Sequence, residues 1–308
     1  MRIVFIGTVG FSKHCLDVLL DIGADIVGVV TMEEGFGRKR HSDWANLTYL
    51  AEGSNIPIRY TSDINARNII EWIGDKQPGH IFCIGWSQLI KQELLSICPV
   101  VGYHPAALPN NRGRHPLVWP LVLGLHESAS TFFYMDSGAD TGDIISQMPF
   151  EIEDDDKASD LYSKIKACAS VQLKELFIKD RKHIFDSTPQ DKSAGNTWRK
   201  RTDKDSTIDW RMSVDAIYNL VRALDMYGGA IFLKGGKEYR VFECYGLTTD
   251  ADNIEPGKIM GNFPNDANIP AEDFSKIDFE GPIIKCGDGA ILLSKHDCPE
   301  PFEVGEYL

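Results

Sequence analysis

The first hundred residues alternate short β-branched runs with amphipathic stretches, and this alternation limits the available folds more than any other feature. Runs at 2–6, 25–31, 56–60, 80–85 and 100–103 read as strands. Between them, 11–22, 43–53 and 64–73 carry apolar residues at helical spacing, and Ser87 is placed to N-cap a helix through Leu95. A strand that rejoins its sheet through a helix must cross over in parallel, so the pattern predicts an α/β fold: a parallel sheet with helices on both faces. Such sheets bind ligands beyond the carboxyl ends of their strands.

The later chain is organised differently. Residues 130–134 and 144–148 read as strands and 156–182 as one long helix, with Asp154, Asp155 and Asp156 where the helix dipole favours negative charge. From 186 to 207 the chain is polar and poor in aliphatic residues, as a linker is. Ile208-Asp209-Trp210 resumes a core, 214–224 is an amphipathic helix, and short strands separated by Gly, Pro and Asp follow. The expected organisation is a first domain over 1–185, a linker over 186–207 and a small β-rich C-terminal domain over 208–308.

Charge and cysteine usage narrow the function classes. A net charge of −13 and a pI near 5.1 oppose binding to a polyanion, so nucleic acid is a disfavoured partner. The seven cysteines are scattered, odd in number and lack a CxxC pair, which argues against a disulfide framework and a zinc site and suits a reducing cytoplasm. The N-terminal apolar run is too short for a signal peptide, and no stretch is long enough to span a bilayer. A cytoplasmic protein without a membrane partner is expected.

Chemistry-bearing residues concentrate between Gly102 and Asp143. His104 directly follows a strand, on a turn rich in Pro, Gly and Asn, and a second turn, Asp136-Ser-Gly-Ala-Asp140-Thr-Gly-Asp143, is dense in carboxylates. Such a pair of turns can deliver a base and its orienting acid to one cleft. Gly7-Thr-Val-Gly10 lacks the third glycine of a dinucleotide-binding turn and reads as close helix–strand packing. The basic stretch Gly37-Arg-Lys-Arg-His41 reads either as a phosphate-holding loop or as a solvated one.

The spaced residues His104-Pro-x-x-Leu108-Pro109-x-x-Arg112-Gly113, then Pro116, Trp119, Gly124, Thr131 and the 136–143 turn, resemble the core of formyltransferases that use N10-formyltetrahydrofolate. The resemblance extends to Gly7-Thr8 with Phe11 and to Arg201-x-x-x-Asp205-x-x-Ile208-Asp209-Trp210, which is similar to the junction before that family's C-terminal domain. It implies a Rossmann-like catalytic domain followed by a small barrel-like one. Of the family's Asn, His and Asp, the histidine maps onto His104 as base or proton shuttle and the aspartate onto Asp140 as its orienting partner. The asparagine maps onto Gly102, which leaves one oxyanion donor to be supplied otherwise. The Gly102 N–H, a water, or the side chain of Asn110, Asn111 or Gln88 are the stand-ins, and the alternative is a slower or altered enzyme.

The resemblance also implies a folate site. The segment after the fourth strand, with Phe82, Gly85, Trp86 and Ser87, would give main-chain contacts to the pterin, and Leu108, Pro109, Gly138 and Asp143 would complete the pocket. Arg112 would either meet the pterin side or fix its own loop. The turn Arg112-Gly-Arg114-His115 and the Trp86-Ser87-Gln88 segment look most like the sugar N-formyltransferases. The acceptor implied is a nucleotide-linked 4-amino-4,6-dideoxy sugar for surface-polysaccharide synthesis, gripped by Arg38, Arg40, Arg112, Arg114 and His115. The rivals are a methionyl-tRNA formyltransferase, a formyltetrahydrofolate hydrolase and a non-catalytic folate or nucleotide binder. A homodimer through the β-rich domain is the family's habit.

Overall fold

The computed structural model describes residues 1–179, 185–249, 252–264 and 280–308. The chain forms two compact units. The first comprises Met1–Pro116, Glu127–Glu151 and Tyr162–Arg199. Its strands are β1 (Arg2–Ile6), β2 (Asp25–Thr31), β3 (Ile58–Tyr60), β4 (His80–Cys83), β5 (Val100–His104), the two-residue β6 (Arg112–Gly113), β7 (Glu127–Tyr134), β8 (Ile144–Glu151) and β9 (Thr197–Trp198). Seven of these form one sheet in the order β3-β2-β1-β4-β5-β7-β8. The pairs from β3 to β5 are parallel, as the alternation predicts, whereas β7 and β8 extend the sheet antiparallel. The order reverses between β1 and β4, which puts the crevice for a ligand at their carboxyl ends.

The helices are α1 (Gly10–Asp21), α2 (Glu34–Arg40), α3 (Thr48–Gly53), α4 (Arg67–Asp75), α5 (Gln92–Leu95), α6 (Trp119–Val122), α7 (Ala158–Lys179) and α8 (Val214–Ala223). On one face of the sheet Val4, Ile6, Val30, Ile81 and Val100 pack against Ile69 and Ile73 of α4 and Leu94 of α5. The glycines after β1 serve packing. A Cβ at Gly7 would stand 2.8 Å from the Ile84 carbonyl, and one at Gly10 would stand 2.8 Å from Asp43 Oδ1. The start of α1 is already satisfied, because Ser12 Oγ accepts from the Thr8 and Val9 N–H groups and Asp43 Oδ2 accepts from Gly10. The Thr8, Val9 and Gly10 N–H groups are therefore not free for a phosphate.

Three local expectations shift. The basic stretch at 37–41 is helix through Arg40, not loop. The helix expected over 43–53 starts only at Thr48, because the Asp43 carbonyl and the Ala45 N–H are bonded to Gly10 and Thr8 and tie this segment to the end of β1. The helix expected from Ser87 shrinks to Gln92–Leu95: Asn65 Oδ1 accepts the Lys91 N–H and its amide donates to the Leu89 carbonyl, holding the segment irregular. Residues 180–182 of the expected long helix lie outside the described residues.

The second unit comprises Leu117–His126, Ile152–Leu161 and Lys200–Leu308. Its strands β10 (Ala230–Lys234), β11 (Lys237–Leu247), β12 (Ile259–Phe263), β13 (Gly281–Lys285) and β14 (Ala290–His296) pair antiparallel in the order β10-β11-β14-β13-β12. Leu247, Ile283, Ala290 and Leu292 form a core cluster in this sheet. Helix α8 packs on β11 and β14, N-capped by Ser213 Oγ, which accepts the Ala216 N–H. No helix among the described residues is long and apolar enough to cross a membrane.

Candidate active site

The site is built on the last residue of β5. Side chains alternate faces along a strand, so Gly102 and His104 point to the same side of the sheet. His104 is 4% exposed, and its Nε2 lies 2.8 Å from the Asn111 carbonyl oxygen. A carbonyl only accepts, so Nε2 carries the hydrogen and Nδ1 holds the lone pair. Nδ1 faces Asp140 Oδ2 at 3.7 Å, too long for a hydrogen bond in the neutral ring.

Asp140 is held by a backbone donor and by its own conformation. It adopts a left-handed conformation with φ of 57°, and its Oδ2 accepts the Gly113 N–H at 2.9 Å. Gly113 itself has φ of 99°, a value that a side chain would strain. Within the turn, partial burial works against ionisation of Asp136, but the Lys192 ammonium and donors from Thr141 and the Gly138 N–H outweigh it and hold that carboxyl below its usual range. Asp136 therefore shapes the turn as an anion.

Several residues that position this pair carry no local sequence signal. Gln190, 8% exposed, donates to the Asp140 and Gly142 carbonyls at 3.1 and 2.6 Å and accepts from Arg112 at 3.0 Å. Asn196 Oδ1 accepts the Asn111 N–H, and β9 runs parallel to β6, pairing Thr197 with Arg112 and Trp198 with Gly113. The polar stretch expected to be linker thus braces the turns of His104 and Asp140 up to Trp198. Gln190→Ala removes three hydrogen bonds from a buried site. It should cost about 1–3 kcal/mol of stability and lower turnover roughly ten- to a hundredfold by loosening Asp140. A variant with unchanged kcat would separate Gln190 from the site.

Beside the pair opens a cleft of about 450 Å³, lined by Val9, Cys83, Gly85 to Leu89, Tyr103, Phe133, Met135 and the Gly138 to Asp140 turn. Its walls combine apolar side chains with the irregular main chain after β4, where Gly85 has φ of 67° and leaves the ladder. Apolar walls with exposed backbone donors and acceptors fit a flat, polar-edged pterin. Cys83 supplies no nucleophile, because burial pushes its thiol up to about 12.

Of the residues singled out from the sequence, His104, Asp140, Gly85, Trp86, Ser87, Gly138, Arg114 and His115 line this cleft. Others do not. Phe82 is fully buried, packed on Phe177 and Phe185 with both edges of its main chain in the sheet. Leu108 is buried and its carbonyl accepts from Gln147, while the Pro109 carbonyl lies against Gly195. Arg112 is 6% exposed and spends its guanidinium on Gln190 and the Ala194 and Asp191 carbonyls, so it fixes its loop. Asp143 offers its carbonyl to the Tyr134 N–H and stands outside the cleft lining. Arg38 is exposed and paired with Glu34 at 2.8 Å. Arg40 reaches the rim, where its Nε donates to Ser87 Oγ at 3.3 Å.

The stand-ins for the missing oxyanion donor also change. Gly102 pairs with Cys83 on one side and Phe133 on the other, so its N–H lies in the plane of the sheet and not toward the cleft. Gln88 Oε1 accepts from the Ile64 N–H and from Trp86, and its Nε2 donates to the Ser62 carbonyl. Asn110 is exposed away from the cleft lining, and Asn111 contributes its carbonyl. A Cβ at Gly102 would stand 2.7 Å from Met135 Cγ and 3.0 Å from Phe133 Cζ. Met135 and Phe133 therefore fill the space that an asparagine would need. Gly102→Asn alone should lose about 1–3 kcal/mol to overpacking, read as a lower urea midpoint, and Met135→Ala should restore part of it. Wild-type stability together with faster turnover in Gly102→Asn would show that the space is open.

Comparison with known proteins places the chain in a family. Residues 1–175 match the formyl transferase family model, and 200–300 match the formyl transferase C-terminal domain. The methionyl-tRNA formyltransferases of Acetivibrio thermocellus and Ruminiclostridium cellulolyticum are each 26% identical over the whole chain and 96% of their own length. Among solved structures, WlaRD, a sugar 3N-formyl transferase crystallised with dTDP and 5-N-formyl-THF, shares the fold with a TM-score of 0.65 at 18% identity, over 96% of this chain and 97% of its own. HypX from Aquifex aeolicus shares it with a TM-score of 0.63 at 18% identity over 97% of this chain, which spans only 46% of HypX. With a cleft at the sheet's switch point, a His–Asp pair at its mouth and both family models matched in order, the chain belongs to the formyl transferase family.

Proposed function

We propose that this enzyme transfers the formyl group of N10-formyltetrahydrofolate, the donor of its family, to the amine of a nucleotide-linked 4-amino-4,6-dideoxy sugar. The donor supplies a formyl carbon on nitrogen that an amine attacks. His104 Nδ1 takes the proton of the attacking amine as the new C–N bond forms and passes it to the departing folate nitrogen, so the ring ends as it began. Asp140 favours the imidazolium between the two transfers, and the Nε2–H bond to Asn111 keeps the ring from turning.

The observation that carries the acceptor is electrostatic. A chain of net charge −13 repels a polyanion, yet two arginines stand at the rim of the cleft, Arg40 and Arg114, which suits a small phosphate-bearing acceptor. A fold neighbour, the N-formyltransferase from Helicobacter canadensis, is described with folinic acid and dTDP-3-aminofucose, which makes dTDP-amino sugars the first acceptors to try. Formylation of methionyl-tRNA is the second reading, favoured by the full-length similarity to enzymes of that name. Purified protein should release tetrahydrofolate in the presence of a nucleotide amino sugar and leave charged initiator tRNA unmodified. Transfer to the tRNA alone would reverse the assignment, and formate release without any acceptor would make it a hydrolase.

A further inference from the structure

We propose that Arg40 and Arg114, closing on Ser87 with His41 beside them, form the clamp for the acceptor's diphosphate. The proposal deepens the acceptor reading above and rests on it. Arg40 Nε donates to Ser87 Oγ at 3.3 Å, and Arg114 Nη2 reaches the Ser87 carbonyl at 3.5 Å, so two guanidinium groups converge on one residue of the cleft wall. Neither has a carboxylate partner among the described residues. Elsewhere Arg38, Arg67 and Arg211 each pair with a nearby carboxylate.

In a chain with 45 acidic and 32 basic residues, two cations left together without a counter-ion repel each other until an anion arrives. His41 lines the same cleft, and its Nε2 is buried without a hydrogen-bond partner. Burial, then Arg40 and Arg114, lower its pKa against the opposing pull of Asp43, so the ring stays neutral and uncommitted beside the two arginines. Guanidinium groups match phosphate oxygens with paired N–H donors, which a diphosphate can meet from two sides at once. The glutamate tail of the folate is the other anion that could reach the rim, and the donor's KM distinguishes it.

Calorimetry with dTDP, UDP, GDP and inorganic pyrophosphate on the full chain tests the clamp, alongside steady-state kinetics for donor and acceptor. Arg40→Ala and Arg114→Ala should each weaken diphosphate binding roughly tenfold, and the double variant about a hundredfold. Acceptor KM should rise in step while donor KM stays within about twofold of wild type. Both arginines are exposed, so melting temperatures should match wild type.

A double variant that binds diphosphate like wild type overturns the clamp, as does wild-type protein that binds none of the four probes. A rise in donor KM with acceptor KM unchanged gives the arginines to the folate tail and also overturns it. If diphosphate binding depends on both arginines but no nucleotide amino sugar is formylated, the clamp stands and the acceptor reading falls. If such a sugar is formylated with an unchanged KM in the double variant, the acceptor reading stands and the clamp falls.

Discussion

His104→Ala should lower the rate of formyl transfer by roughly 10³–10⁴, more than loss of a proton acceptor alone would cost, because the imidazolium has to serve the oxyanion as well. Gly102 brings no side chain to the cleft, the Gln88 side chain is bonded to Ile64, Trp86 and Ser62, and Asn110 and Asn111 stand outside the cleft lining. On the proposed mechanism, the ring that takes the amine's proton is the cation that meets the developing negative charge. Single-turnover transfer, with the melting temperature as a check on folding, measures the effect. Because a buried ring is removed, His104→Gln serves as a second variant: it keeps a donor for the Asn111 carbonyl but cannot take a proton. Retention of more than a tenth of the wild-type rate in both would place the proton transfer on another residue.

Asp140→Asn should lower kcat by about 10²–10⁴ while donor KM changes little. The substitution is clean for two structural reasons. Asparagine tolerates the left-handed conformation that Asp140 adopts at φ of 57°, and its carbonyl oxygen can still accept the Gly113 N–H. What disappears is the negative charge 3.7 Å from Nδ1, and with it the stabilisation of the protonated ring. If turnover survives with the turn intact, the His–Asp pairing does not drive the reaction. Steady-state kinetics together with a crystal structure of the variant would separate loss of charge from loss of shape.

How far these roles were legible in the sequence differs from residue to residue. The strand that ends in His104 was readable because a short β-branched run after an amphipathic stretch encodes burial locally. The 136–143 turn was readable because Asp, Gly and Thr at that spacing bond their own backbone, as Asp136 does to the Gly138 N–H. Propensity favours helix over 43–53, but it does not register the tie of Asp43 and Ala45 to the end of β1 that delays the start to Thr48. The stretch after Trp86 has a helix signal of its own, but the side-chain bonds from Asn65 that hold it irregular come from outside the segment.

The sequence by itself thus determined the parallel sheet, the place of His104 at its open end and the acidic turn that faces it, because strand burial and turn chemistry are written in neighbouring residues. Only the tertiary structure decided that Arg112 is spent on its own loop while Arg40 and Arg114 meet at Ser87, and that Gln190 holds Asp140 from 50 residues away. It also decided that Phe133 and Met135 occupy the space beside Gly102, and that the Asn111 carbonyl sets which nitrogen of His104 carries the hydrogen. Each of these depends on which segments meet across the fold, and a contact between segments that are not neighbours leaves no period or spacing in the chain to read.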